Sequence, residues 1–224
     1  MTNRNIKHIL LETGVTHLYH ANTVATACTF IENNGLLSRG AVDDLGLYQT
    51  SQATDGSDKD CDVFDDIFFD SVDIHQRSKR INNYGPVVFV YSIDILDVLP
   101  PDCIRVTKDN PMYWTRSMAD EDKYFLTEDE LSSFYQRGKF NQHLTLRHQT
   151  TPLPFDYLEK IIIDDPGVEY TGYFDDAYKH LQDLINEYSP CIPLEVRQCP
   201  PGCGCQDQYK SYKTGYIYYR FHFK

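Results

Sequence analysis

An α+β fold is predicted by three observations. Runs with strand periodicity and runs with helix periodicity are interspersed without a regular alternation, so a doubly wound parallel sheet is not indicated. Apolar residues make up 41% of 224, and 17 Tyr and 12 Phe add bulk, enough for one sizeable core. No internal repeat and no apolar run of membrane-spanning length breaks the pattern.

The elements follow in order. "HLYH" (17–20) reads as a strand end. "NTVATACTFIENNGLL" (22–37) puts Val24, Ala27, Cys28 and Ile31 on one helical face, with Asn22 or Thr23 as the cap and Gly35 as the stop. Residues 38–66 are rich in Asp, Ser, Thr and Gly and read as a long loop. "IFFDSVDIH" (67–75) is a strand or a turn. "GPVVFVYSI" (85–93) is the clearest strand, and residues 94–120 read as irregular. "TEDELSSFYQRG" (127–138) is a helix with acidic residues in its first turn and a glycine stop. "HLTLRHQ" (143–149) alternates as a strand, and "YLEKIIIDDP" (157–166) is a strand running into a turn. "DDAYKHLQDLINEY" (175–188) is a helix, and "TGYIYYRFHF" (214–223) a final aromatic strand. Residues 1–190 are read as one domain, with 191–224 a Cys-bearing turn and strand packed on it.

The formal net charge of −12 argues against tight non-specific binding to nucleic acid, which depends on neutralising phosphates. It leaves room for a nucleic acid gripped by a local basic patch, at Arg77–Arg80 or Lys210–Lys213. The apolar run in "MTNRNIKHILLETG" is too short for a signal peptide, so a cytoplasmic protein is expected. Seven cysteines, several of them scattered, point to reduced thiols rather than a disulfide framework.

Several groupings could carry chemistry, and each also has a plainer reading. His20 and Asn22 precede a helix start, where imidazole and carboxamide could hold a nucleotide and the helix end favours phosphate; a cap beside a half-buried histidine is the alternative. Arg77, Lys79 and Arg80 form a cationic cluster suited to phosphate, or simply an exposed turn that balances the acidic loop. As a strand, 143–149 would put His143, Thr145, Arg147 and Gln149 on one polar face, lining a cleft or facing water. "CPPGCGC" (199–205), with Cys191 upstream and His222 downstream, could hold zinc, although its spacing is not a standard pair of knuckles. Asp65, Asp66, Asp70, Asp73 and His75 could hold Mg²⁺ or Mn²⁺, or form a solvated loop.

In this order, the segments resemble the DarT-like branch of the ADP-ribosyltransferase superfamily. "LYHAN" (18–22) stands in the place of its "IYHIT"-like stretch, and "NGLLSR" (34–39) in that of its "xxGL" segment. "DSVDIHQRSKR" (70–80) is similar to a family segment ending in Arg-Ser, which falls on Arg77 and Ser78. "QHLTLRHQTTPLPFDYLEKIII" (142–163) occupies the place of the family's later strands.

The resemblance implies a split, strongly bent mixed sheet with flanking helices, and NAD as co-substrate. It places His20, Asn22, Gly35 and Ser78 at the NAD site and pairs Arg77 with the pyrophosphate. His20 and Arg77 are expected within one nucleotide's length of each other. The superfamily's glutamate should lie on the strand at 143–149, where this chain has none, so His143 or Gln149 would have to position the acceptor. The superfamily's tRNA 2′-phosphotransferases also use NAD without that glutamate. By analogy the acceptor is a nucleic-acid base, the setting a toxin or phage-defence system with an antitoxin or other protein partner, and no membrane is involved; this reading calls for no metal. The competing readings are a metal-dependent nuclease using the Asp65–His75 cluster, and a non-enzymatic interaction protein with a relic transferase fold.

Overall fold

The computed structural model describes residues 1–77, 84–165, 167, 171–199, 203–205 and 220–223, with Arg77 and Thr171 described in backbone alone. In chain order these hold α1 (Asn3–Glu12), β1 (His17–Asn22), α2 (Val24–Glu32), β2 (Gly35–Leu36), α3 (Arg39–Asp44), α4 (Asp55–Asp60), β3 (Ile67–Phe69), α5 (Ile74–Arg77) and β4 (Val87–Ser92). Then come β5 (Ile104–Val106), α6 (Asp120–Lys123), α7 (Glu128–Phe134), β6 (Leu144–Leu146), β7 (Leu153–Pro154), β8 (Leu158–Asp165), α8 (Thr171–Tyr188) and β9 (Leu194–Gln198).

The main sheet runs β1-β4-β8-β9, antiparallel except for the parallel β8/β9 pair. A second sheet runs β3-β6-β5, all antiparallel. The two meet at β1. There the Tyr19 N–H donates to the Asp70 carbonyl at 3.0 Å and the Asp70 N–H to the Tyr19 carbonyl at 2.9 Å. β1 thus pairs with β4 along one edge and touches the end of β3 along the other, the split, mixed sheet expected of the chain.

β4 is central because its residues Val87–Tyr91 are apolar on both faces and all buried. One face of the sheet carries Val88, Val90 and Ile162. The other carries Phe89, stacked on Phe155 at 5.9 Å, and continues into the main core. α2 is apolar nearly all round and buried from Val24 to Ile31, and α8 packs against it. α8 presents Ala177, Leu181, Leu184 and Ile185, spaced as one helical face, and each buried Leu or Ile there stabilises by about 1.5–3 kcal/mol. Among the described residues no helix is long and apolar enough to cross a membrane.

Several sequence expectations are corrected. α2 ends at Glu32 rather than at Gly35, because Asn33 caps it and Asn34 takes the left-handed conformation (φ 50°). The expected loop at 38–66 contains α3 and α4, and the irregular stretch at 94–120 contains β5. α1 and β9 had not been read from the sequence. Arg220 and Phe221 form a helical turn rather than part of a final strand; the rest of that expected strand up to Tyr219 lies outside the described residues.

Candidate active site

A cleft of about 240 Å³ opens where β1 and β3 meet. Tyr19–Asn22 of β1 form one wall, and Phe68, Phe69 and Asp70 at the end of β3 form the next. Thr26 and Phe30 of α2, Arg39 at the start of α3, Asp58 of α4, Asp66, Tyr84, the turn Asn110–Met112 and His143 are among the residues that line the rest.

His20 has a defined protonation state. Its Nδ1 lies 2.8 Å from the Phe68 carbonyl oxygen, which only accepts, so Nδ1 carries the hydrogen. Nε2 is then a lone-pair acceptor, and it is buried with no hydrogen-bond partner among the described residues. Burial pushes the imidazole pKa below its ordinary value, with Phe68 and Asp70 pulling weakly the other way. Phe30, Phe69 and Phe89 pack around the ring at 5.8–6.5 Å between centroids. An orphaned acceptor in an aromatic wall is an unmet cost to the fold and an opening for a ligand hydroxyl.

His143 sits on the other side of Phe68, whose ring meets it edge-on at 6.3 Å. Its Nδ1 lies 3.4 Å from Asp70 Oδ1, and the Asn110 side-chain amide lies 3.3 Å from its Nε2. Since the Asn110 amide donates, the hydrogen of His143 belongs on Nδ1, facing the carboxylate. The result is a carboxylate–imidazole pair in the cleft wall, with Nε2 on the far side of the ring.

Of the residues read from the sequence, the structure brings His20, Asn22 and His143 into one cleft. The Asn22 side-chain carbonyl accepts from the Thr23 N–H at 2.9 Å, and Thr23 caps α2, so the cap and the cleft wall are adjacent residues. Gly35 is outside the cleft: it pairs with Pro154 in the β2/β7 ladder, and a Cβ there would lie 2.6 Å from the Leu153 carbonyl oxygen. The Arg77 side chain, Ser78, Lys79, Arg80 and Lys210–Lys213 lie outside the described residues, so the expected closeness of His20 and Arg77 falls there too.

The polar face expected across 143–149 forms only in part, with Thr145 and Arg147 both turned onto Asp66, and it does not line the cleft as a whole. β6 covers only Leu144–Leu146, and His148 turns to φ 54°, which ends the alternation. His143 alone of the four reaches the cleft. Thr145 is buried and donates to Asp66 Oδ2 at 3.0 Å. Arg147 pairs with Asp66 at 3.0 Å, and with the Tyr124 hydroxyl and Asp62. The Gln149 side-chain amide donates to the Arg147 carbonyl at 2.8 Å, outside the cleft lining.

The acidic cluster is divided: Asp66 and Asp70 border the cleft, while Asp73 and His75 turn away from it. Asp66 is held by Arg147, Thr145 and the His148 N–H, and burial still pushes its pKa up. Asp73 pairs with Arg197, and the His75 Nε2 turns to Cys205 Sγ at 3.5 Å.

Sequence reasoning passed over Asp70 as the partner of His143, and Arg39 as a cation in the cleft. Arg39 donates to Asp55 Oδ2 at 2.7 Å and to the Thr50 carbonyl at 3.2 Å. It opens α3, where a cation opposes the helix dipole, but with α3 itself hidden in an expected loop that conflict gave no signal in the sequence.

A scan against protein-family models finds no match, and a search of curated proteins finds none. Solved structures do match. DarT of Thermus sp. 2.9 in complex with ADP-ribosylated ssDNA aligns with a TM-score of 0.53 at 12% identity, over 88% of this chain and 97% of that one. The same protein in complex with NAD⁺ aligns with a TM-score of 0.48 at 12% identity, over 87% and 98%. The chain therefore has the α+β fold of a DarT-like ADP-ribosyltransferase.

Proposed function

We propose that the protein transfers ADP-ribose from NAD to a nucleic-acid acceptor in the cleft between β1 and β3. The observation that carries this reading is His20: a neutral imidazole whose buried Nε2 lacks a partner among the described residues suits a ribose hydroxyl. The fold supports it, because the structure with the same fold is described as a complex with ADP-ribosylated ssDNA. The cleft also reaches the first turn of α2 through Thr26, where the helix dipole favours an anion.

NAD, when bound, supplies a ribose carbon whose bond to nicotinamide breaks through a cation-like transition state, so positioning and electrostatics matter most. In this reading His20 accepts from a ribose hydroxyl and fixes the sugar, with Asn22 beside it. Arg77 and Ser78 are proposed for the pyrophosphate. Asp70 orients His143 and steadies positive charge on it, as the third member of a triad does. His143 Nε2 takes the acceptor proton, with Asn110 yielding its long hydrogen bond. The carboxylate missing from the strand at 143–149 is thus replaced by Asp70 from the end of β3. A toxin or phage-defence setting in the cytoplasm, with an antitoxin as partner, follows from the analogy with DarT.

The test is label transfer. NAD labelled at its adenylate phosphate is incubated with single-stranded oligonucleotides of each base composition. Label on an oligonucleotide is expected, reduced about 10²–10⁴-fold in His143→Ala. Intact NAD and unlabelled oligonucleotides, from folded wild-type protein, would overturn the proposal.

A further inference from the structure

Away from the cleft, four side chains from two distant parts of the chain converge. The ligand atoms of His75, Cys199, Cys203 and Cys205 all lie within 4.8 Å of one another. The three cysteines are buried, and the His75 side chain is 5% exposed. Cys205 Sγ lies 3.5 Å from His75 Nε2. A tetrahedral zinc with Zn–S of about 2.3 Å and Zn–N of about 2.0–2.1 Å sets sulfur and nitrogen about 3.6 Å apart.

The other face of the imidazole is built for the same purpose. Among the described residues the buried His75 Nδ1 makes no hydrogen bond, yet it faces Asp164 Oδ1 at 3.8 Å, and Asp164 Oδ2 has no partner there either. A carboxylate behind Nδ1 fixes the hydrogen there and leaves Nε2 as the donor to a metal, the usual arrangement behind a metal-bound histidine. The Arg197 Nε donates to Asp164 Oδ1 at 2.7 Å and its Nη1 to Asp73, placing a positive charge beside the site.

Three buried thiols held together gain from a divalent ion, which draws a proton from each and binds the thiolates.

We propose that His75, Cys199, Cys203 and Cys205 form a closed, structural Zn²⁺ site of the Cys₃His type. Three soft sulfurs and one imidazole at tetrahedral reach select zinc over magnesium or calcium, and four protein ligands leave no position for substrate. Zinc binding releases the three thiol protons to solvent; the imidazole binds neutral. The Zn(Cys)₃His unit carries a net charge of −1. The ion ties α5 to the chain just beyond β9, and so holds the segment that continues from the cleft residue Asp70. Cys191 is exposed, and neither it nor His222 belongs to the cluster.

The full-length protein, purified under reducing conditions without chelator, is assayed for metal by elemental analysis. About one zinc per chain is expected, with thiolate-to-metal charge-transfer bands after cobalt substitution. Cys203→Ser and His75→Ala should lose the metal, His75→Cys should restore it, and Cys191→Ser should keep it. Asp164→Asn should weaken affinity about 10–100-fold while keeping the stoichiometry. A strong chelator should lower the wild-type melting temperature, which keeps the proposal testable if variants fail to fold. Wild-type protein that holds no zinc and takes up neither added Zn²⁺ nor Co²⁺, or a disulfide between two of these cysteines in the reduced preparation, would overturn the proposal.

Discussion

His143 Nδ1 faces Asp70 Oδ1 at 3.4 Å, and the backbone of the same Asp70 is paired with Tyr19, the neighbour of His20. One residue at the end of β3 therefore joins the proposed proton-accepting side of the cleft to its proposed NAD-binding side.

Removing the carboxylate while keeping its shape separates orientation from folding. Asp70→Asn should lower turnover at least about tenfold, with NAD affinity nearly unchanged, since Asn cannot steady a protonated imidazole. Initial rates and NAD titrations on the same preparation decide this. An equal loss in both would point to a disturbed cleft instead.

Stability should respond to pH through His20. Burial depresses its folded pKa below 6.5, so the unfolded chain takes up the proton first as pH falls. The stability its neutral form contributes is complete above pH 6.5 and is lost below it. Urea unfolding at several pH values should show wild type losing stability relative to His20→Gln below pH 6.5 and not above it. Parallel profiles would contradict the assignment.

Arg147 is a structural residue in this account. Arg147→Ala leaves Asp66, whose side chain is 0% exposed, without its charge partner, a loss of about 3–5 kcal/mol when one member of a buried pair is removed. Denaturant midpoints measure it. A loss near zero would mean that Asp66 is protonated or solvated in the fold.

Gln149→Glu should not restore a transferase glutamate. The side chain bonds the Arg147 carbonyl away from the cleft lining, so NAD turnover should be unchanged. A rise in hydrolysis would place Gln149 in the site after all. Gly35→Ala should cost about 1–3 kcal/mol from the contact with the Leu153 carbonyl, without a direct effect on NAD.

The legible parts of the fold were those with long periodic signals. β4, β8 and α8 bury enough side chains for their spacing to show, and Thr23 announced the start of α2. α3 and α4 were hidden because each is six residues long and largely polar. β6 is three residues long, and the left-handed His148 ends an alternation that continues in the sequence to Gln149. His20, Asn22 and His143 share a cleft, but the sequence marked them only as hydrogen-bonding groups beside apolar runs, which a cap or plain packing explains as well. Asp70 and the partnership of His75 with the C-terminal thiols could not be found, since both depend on contacts between segments far apart in the chain.

The central claim, that NAD is held against His20, is tested most directly by nitrogen-15 NMR of the histidine side chains during NAD titration. The account predicts a neutral His20 with its hydrogen on Nδ1 in the free protein, and a shift of its Nε2 resonance as NAD saturates the cleft. A His20 signal that stays in place at saturating NAD, while other resonances move, would contradict it.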